Sequence, residues 1–392
     1  MRRPHSDPRI SARDRRRPDP GVSAARPLVH LLHVIHQIGD GGADHVLTRL
    51  VNRSDSSRFR HTILTLEHGR GYEPLRPGVR LIELPADRSR VLGALEGLGA
   101  DFDRVDVVHG WVAHASIVAA SLAAARGVPL VVRQPTNMEQ ELRWEPRQAE
   151  GYWRELRLAC QTADAVVVPS PALVESTRRV CGVADPVVIP NAVDVDAFAP
   201  WRPRPSGGPF TMALVGRLCH QKDPLTLVEA LGLVGASIDW RLTVFGEGSL
   251  RPAMTARLDA LGLLDRVRFA GFDRRWIQPD AGLDALVLPT RYEGMSNALL
   301  EAAAAGLPII TTAIPENLAV LEPDVDACFV PPEDPATLAT AIRLMAGQSA
   351  LAARYGARAR QRMRRYSLDA MVSAHEALYA RLARPSLGAR AA

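Results

Sequence analysis

Short, nearly unbroken runs of valine, isoleucine and leucine punctuate the first half of the chain, with helical pattern between them. The runs are LVHLLHVI (28–35), HTILTLE (61–67), VRLIEL (79–84), VDVVHG (105–110), PLVVR (129–133), DAVVVP (164–169) and PVVIP (186–190). Apolar residues at consecutive positions mark strands covered on both faces, the condition of a parallel sheet. Helical segments of roughly 10 to 15 residues between such runs supply the crossovers that parallel strands need. Beyond residue 209 the pattern starts again with FTMALVG, RLTVFG, VRFAG, DALVLP, LPIIT and ACFV. Between the two series lies WRPRPSGGP (201–209), whose Pro, Gly and Ser content reads as an interdomain linker.

This pattern predicts an α/β protein of two doubly wound, Rossmann-like domains. Their expected bounds are 27–198 and 210–370, with the linker at 199–209 and a helix and tail at 371–392. Length agrees, since 392 residues exceed what one hydrophobic core ordinarily supports, and a 47% apolar composition can fill two. Ligands of such sheets bind beyond the carboxyl ends of the strands, so chemistry is to be sought in the loops there.

Charge changes the picture only at one end. The formal net charge is +5, yet residues 1–26 hold 8 Arg against 3 Asp, which leaves the remainder balanced at 40 basic and 40 acidic residues. That stretch is poor in apolar residues and rich in Pro, Ser and Arg, so it is expected to be a disordered, solvated tail. Contact of its arginines with an anionic membrane face is the functional alternative. Nucleic-acid binding would rest on the tail alone and is not expected. No secretory leader is expected either, because LVHLLHVI is short, carries two His and has no small-residue cleavage site behind it. No run is long and apolar enough to cross a bilayer, since ALLEAAAAGLPIITTAI is interrupted by Glu301, Gly306 and Pro308. Cys160, Cys181, Cys219 and Cys328 show no paired spacing, which argues for reduced thiols in a cytoplasm, with neither a zinc site nor a disulfide framework.

Three strand exits carry candidate chemistry. The first strand leads into HQIGDGGADHVLTRL, where Gly39, Gly41 and Gly42 precede a helix beginning near Ala43. Glycine lets backbone approach a ligand, and a helix N-terminus favours an anion. A tight turn without a ligand would look the same, and the missing G-x-G-x-x-G spacing counts against a dinucleotide-binding oxidoreductase.

The second exit, GRLCHQKDP (216–224), places Arg217 and Lys222 before a helix that Asp223 and Pro224 can begin. Of the chain's 48 basic residues, Lys222 is the single lysine. Two cations there suit a diphosphate, and a compact ammonium fits where a planar guanidinium does not. Two ordinary surface charges are the bland alternative, and the lone lysine makes it the lesser one.

The third exit, PTRYEGMSNALLEAAAAGLPII (289–310), puts Glu293 and Gly294 in a loop, lets Ser296 or Asn297 cap a helix, and sets Glu301 among alanines. A lone Glu is ordinarily solvated, but LLEAAAAG is small and apolar enough to be buried. A buried carboxylate needs donors, and ribose hydroxyls would serve.

The strand DALVLP, the segment EGMSNALLEAAAAGLPII and the upstream GRLCHQKDP together resemble the retaining nucleotide-sugar glycosyltransferases of family 4, which have the two-domain GT-B fold. The resemblance implies two domains facing across a cleft, hexosyl transfer there from a nucleotide-diphosphate donor to an acceptor hydroxyl, and no metal or other cofactor. It implies Arg217 and Lys222 as the diphosphate-binding pair, Glu301 as the grip on the ribose, and Glu293 as the carboxylate beside the donor sugar. The amides of Gly294, Met295, Ser296 and Asn297 become further donor contacts, and Gly41 and Gly42 match the family's glycine loop. IPNAVDVDAF resembles its NGVD segment, with Ala192 in place of the usual glycine. In VVHGWVAHAS, His114 matches the family histidine that faces the donor sugar, with His109 as the alternative, and Arg133 matches an arginine at the next strand's exit. Catalysis would then fall to His114 and Glu293, the latter as nucleophile or as charge stabiliser.

The implied acceptor is a saccharide, a lipid-linked molecule or a small molecule, in polysaccharide, glycolipid or other glycoconjugate synthesis. The implied setting is the cytoplasm or the inner face of the membrane. Two other readings compete. A nucleotide-sugar epimerase would need an acid and a base that do not stand out, and a non-catalytic sugar-nucleotide-binding protein could dispense with Glu293.

Overall fold

The computed structural model describes residues 28–390 except 40, 70–73, 85–101, 103, 145–149, 204–206, 274 and 279–281. The tail expected at 1–26 lies outside the described residues. Seven strands form the first sheet: β1 (Val29–Ile35), β2 (Phe59–Thr65), β3 (Arg80–Glu83), β4 (Val107–Gly110), β5 (Leu130–Arg133), β6 (Ala165–Val168) and β7 (Val187–Val188). Six form the second: β8 (Phe210–Val215), β9 (Trp240–Phe245), β10 (Val267–Gly271), β11 (Ala285–Leu288), β12 (Ile309–Thr312) and β13 (Cys328–Val330). All pairings within both sheets are parallel. Each apolar run of the sequence has become one of these strands.

The reason is visible in β1. Val29, Leu31 and Ile35 enter one core cluster while Leu32 and Val34 enter another on the opposite face, so a continuous apolar run is needed to fill both. In β8, Met212 and Leu214 face one cluster and Ala213 the other.

Strand order is β3-β2-β1-β4-β5-β6-β7 in the first sheet and β10-β9-β8-β11-β12-β13 in the second. Each half therefore starts in the middle, runs outward, and returns to the other side. The order reverses between β1 and β4 and between β8 and β11. Crevices open at such switch points, beyond the carboxyl ends of the strands. The glycine loop follows β1, His109 lies within β4 and His114 follows it, Arg217 and Lys222 follow β8, and Glu293 follows β11.

The chain does not end on the second sheet. After the helices Pro335–Gly347 and Ser349–Met363 it crosses back, and the helix Leu368–Arg390 packs Leu368, Met371, Val372, Leu378 and Tyr379 against Leu31, Val107 and Trp111 of the first domain. The carboxylate of Glu376 fastens it there, accepting from Ser54 Oγ at 2.8 Å and from the Asp55 amide at 2.7 Å. The two crossings run side by side, with the Val193 amide donating to the Tyr366 carbonyl at 2.9 Å.

Candidate functional site

At the exit of β8 the backbone turns on Gly216, whose φ of +131° strains any residue with a side chain. Asp223 ends the short 3-10 turn His220–Lys222 in the left-handed region and caps the helix Pro224–Val234, accepting from Thr226 Oγ1 at 2.7 Å. Its other partner is Arg291, at 3.0 Å. This turn sends the lysine stem back over Gly216, where an added Cβ would come within 3.1 Å of Lys222 Cε. Lys222 Nζ then meets Glu293 Oε1 at 2.5 Å. Glu293 is 4% exposed and also accepts from Gln221 Nε2 at 3.4 Å, while Arg217 donates to Gln221 Oε1 at 3.2 Å. The two cations expected at a diphosphate and the carboxylate expected at a sugar thus form one network.

Ser296, rather than Asn297, caps the helix Asn297–Ala305, its hydroxyl accepting from the Leu299 amide at 3.4 Å. Glu301 lies on that helix with both oxygens engaged. Arg49, from the helix Gly42–Arg53 of the first domain, donates to Oε1 at 3.1 Å, and Trp276 Nε1 donates to Oε2 at 3.1 Å. Donors were expected for this carboxylate, but protein donors from two distant segments were not legible in LLEAAAAG.

In the first domain, Asp44 braces the glycine loop by accepting from the amides of Gly39 and Gly41 at 3.0 Å each. Asn297 Nδ2 reaches across to the Gly42 carbonyl at 2.9 Å. His114 stands in the first turn of the helix Ala113–Arg126, partly exposed, its ring beside His36 and Tyr152. His109 points the other way, into the core, with Nδ1 at 2.8 Å from the Tyr379 hydroxyl. Burial, followed by the neighbouring His33, His375 and Arg133, holds its pKa well below the usual histidine range.

The two domains touch along this line. A Cβ on Gly294 would run into the Pro135 carbonyl oxygen, so the donor-side loop and the exit of β5 meet backbone to backbone. Asn137 Nδ2 donates to Glu316 Oε1 at 2.7 Å. Glu316 is buried in the short helix Pro315–Leu318 after β12, and burial, with the Glu293 charge adding to it, raises its pKa above the ordinary carboxylate range. Trp144, closing the helix Met138–Trp144, stacks on His220 with ring centroids 4.5 Å apart, and the Arg291 guanidinium lies 5.7 Å from the same ring.

Arg49, Asn137, Trp144, Trp276 and Glu316 were missed by the sequence reading. Only Glu316 and Asn137 carried a signal, since both follow strands at their carboxyl ends. Among the described residues no group of three or more His, Cys, Asp or Glu could hold a metal ion. What the cleft assembles is two cations, a helix N-terminus and a buried carboxylate, an arrangement able to bind an anion and to stabilise charge that changes during a reaction.

Residues 40–197 match the family described as Glycosyltransferase Family 4, and residues 209–347 match Glycosyl transferases group 1. Among curated proteins, a D-inositol 3-phosphate glycosyltransferase of Xylanimonas cellulosilytica is 28% identical over 87% of this chain and 92% of its own length. A glycogen synthase of Mycobacterium tuberculosis is 29% identical over 75% of this chain and 69% of its own. An exopolysaccharide phosphotransferase of Streptomyces coelicolor is 30% identical over 46% of this chain, which spans only 20% of that protein. Among solved structures, Anabaena HepE in complex with UDP and glucose aligns over 90% of this chain and 100% of its own, with a TM-score of 0.76 at 17% identity. Sucrose-phosphate synthase of Thermosynechococcus elongatus aligns over 91% and 99%, with a TM-score of 0.77 at 20% identity. At these identities the structures speak for the fold, which is GT-B.

Proposed function

The chain belongs to the family 4, group 1 glycosyltransferases, and on that premise we propose that it is a retaining enzyme drawing its sugar from a nucleotide-diphosphate donor. The observation that carries this reading is the Lys222–Glu293 pair beside the N-terminus of the helix Asn297–Ala305. A diphosphate laid against Arg217, Lys222 and that helix end would share Lys222 with Glu293. As the anomeric bond breaks, negative charge grows on the leaving phosphate and positive charge on the sugar. Lys222 answers the first and Glu293 the second. A carboxylate clamped by an ammonium suits charge stabilisation better than covalent attack. The acceptor hydroxyl would enter from the leaving-group face, giving retention. Side chains supply the positive charge, so the reading calls for no metal.

Glu301 retains capacity for a ribose. An ionised carboxylate offers about four acceptor sites, of which Arg49 and Trp276 use two. Support for a uridine nucleotide comes from the UDP bound by HepE, and support for a saccharide or lipid-linked acceptor from a relative named for lipopolysaccharide core biosynthesis in Rhizobium meliloti. No helix among the described residues is long and apolar enough to cross a membrane, and the proposed setting is the cytoplasm or its membrane face.

The test is a panel of nucleotide-diphosphate sugars read by thermal stabilisation and by slow nucleotide release. One donor should stabilise the wild type by about 2.7 kcal/mol when present at about 100 times its Kd. Glu301→Ala should then weaken that donor by about 1.5 to 3 kcal/mol. Unaltered donor affinity in a folded Glu301→Ala protein would remove the ribose role.

A further inference from the structure

Asn191 lies between β7 and the 3-10 turn Val195–Ala197, where the chain leaves the first domain, and is 8% exposed. Its side-chain Oδ1 accepts from Arg133 at 2.7 Å. Its Nδ2 donates to the Met295 carbonyl at 2.9 Å and to Asn297 Oδ1 at 3.0 Å, and its amide reaches Met295 Sδ at 3.2 Å. Asn297 in turn donates to the Gly42 carbonyl. The orientation of both amides follows from chemistry: a guanidinium only donates and backbone carbonyls only accept. A directed chain of donors thus runs from β5 through the interdomain segment and the loop at Gly294–Asn297 to the glycine loop.

At its head sits an expensive residue. Arg133 is 1% exposed, its NH1 has no hydrogen-bond partner, and it makes no ion pair with a carboxylate among the described residues. Its remaining compensation is the face of Trp111, 5.4 Å away, and burial pushes its pKa down to about 10. A buried cation without a counter-charge destabilises a fold, and an apolar residue of similar size would be tolerated better. Local violations of this kind are expected where function requires them. Here the cation polarises a hydrogen-bond chain that ends at the two loops facing each other across the cleft.

We infer that Arg133 and Asn191 are positioning residues: they hold the loop Gly294–Asn297 in its donor-binding geometry when the domains close. The inference rests on the donor-site reading above. Two variants separate positioning from a structural role. Arg133→Met removes the buried charge and should leave the unfolding midpoint unchanged or raised. Asn191→Asp keeps an acceptor for Arg133 and adds a counter-charge, while removing both donors to the loop. Each should raise the donor KM about tenfold, leaving the acceptor KM unchanged, and Arg133→Lys, which keeps the charge, should fall between wild type and Arg133→Met.

The same proteins should be followed by amide hydrogen exchange. Exchange should accelerate at residues 41–45 and 294–299 and stay at the wild-type rate in the sheet cores. Wild-type donor KM and wild-type exchange in either folded variant would overturn the inference. If one variant fails to fold, the other and Arg133→Lys decide. If wild-type protein binds no nucleotide sugar while local exchange still accelerates in the variants, the donor reading fails and the positioning role stands.

Discussion

Lys222 is lysine where the rest of the chain uses arginine, and its stem is closely packed. The stem lies on Gly216, where even one added carbon would come within 3.1 Å, and the ammonium contacts Glu293 at 2.5 Å. A guanidinium is wider, planar and less able to follow a leaving group. Lys222→Arg should therefore fold normally and lose much of its kcat/KM, with Lys222→Ala losing more. On the proposed role, in which Lys222 answers charge developing on the leaving phosphate, the loss should show in kcat as well as KM. Arg217→Lys serves as the control, since among the described residues the Arg217 side chain donates to Gln221 alone and is exposed. Equal tolerance of both exchanges would mean that the site asks for charge and not shape.

At the scale of elements, the legible features were those with a local physical cause. An apolar run covered on both faces identifies a parallel strand wherever it occurs, so β1 to β13 could be read from their own residues. Ser296 and Asp223 cap helices because their side chains reach amides three residues on. Asn137 with Glu316, Arg49 with Glu301 and Asn191 with Met295 lie 104 to 252 residues apart, and no local pattern encodes such partners. Gly294 shows the same limit: the sequence marks a loop, whereas the need for glycine comes from Pro135 of the other domain. Gly294→Ala should leave each domain's fold intact, because the added methyl strikes nothing within its own domain. It should hold the cleft open by a fraction of the reacting distance and lower kcat/KM by about a hundredfold. An unimpaired Gly294→Ala enzyme would show that this approach of the loops is not required for transfer.

At the scale of the whole molecule, the returning helix Leu368–Arg390 seals a polar interior as well as an apolar one. His33, His61 and His109 beneath it, and His375 on its own inward side, are all at most 1% exposed. Trp111 Nε1 donates to His33 Nδ1 at 3.0 Å, so the His33 proton sits on Nε2 and is donated to His61 Nδ1 at 2.9 Å. His375 Nδ1 donates to the Met371 carbonyl at 2.9 Å. A further proton on His33 would face the indole N–H. Burial drives His61 and His375 down to about 3 and His33 and His109 well below their ordinary value, with Arg133 adding repulsion at His109 and His375 and Arg76 at His61.

In the unfolded chain these histidines titrate near about 6.5, so the unfolded state binds more protons as the pH falls below that value. Stability from this cluster is complete above about pH 6.5 and is lost progressively toward about pH 3, at up to about 1.4 kcal/mol per pH unit for each histidine. The unfolding midpoint of the wild type should therefore fall steeply between about pH 6.5 and about pH 5. His375→Leu removes one titrating group and should flatten that slope, whatever its effect on the midpoint at neutral pH. Parallel curves for the two proteins would mean that burial between its helix and the first sheet does not hold His375 neutral.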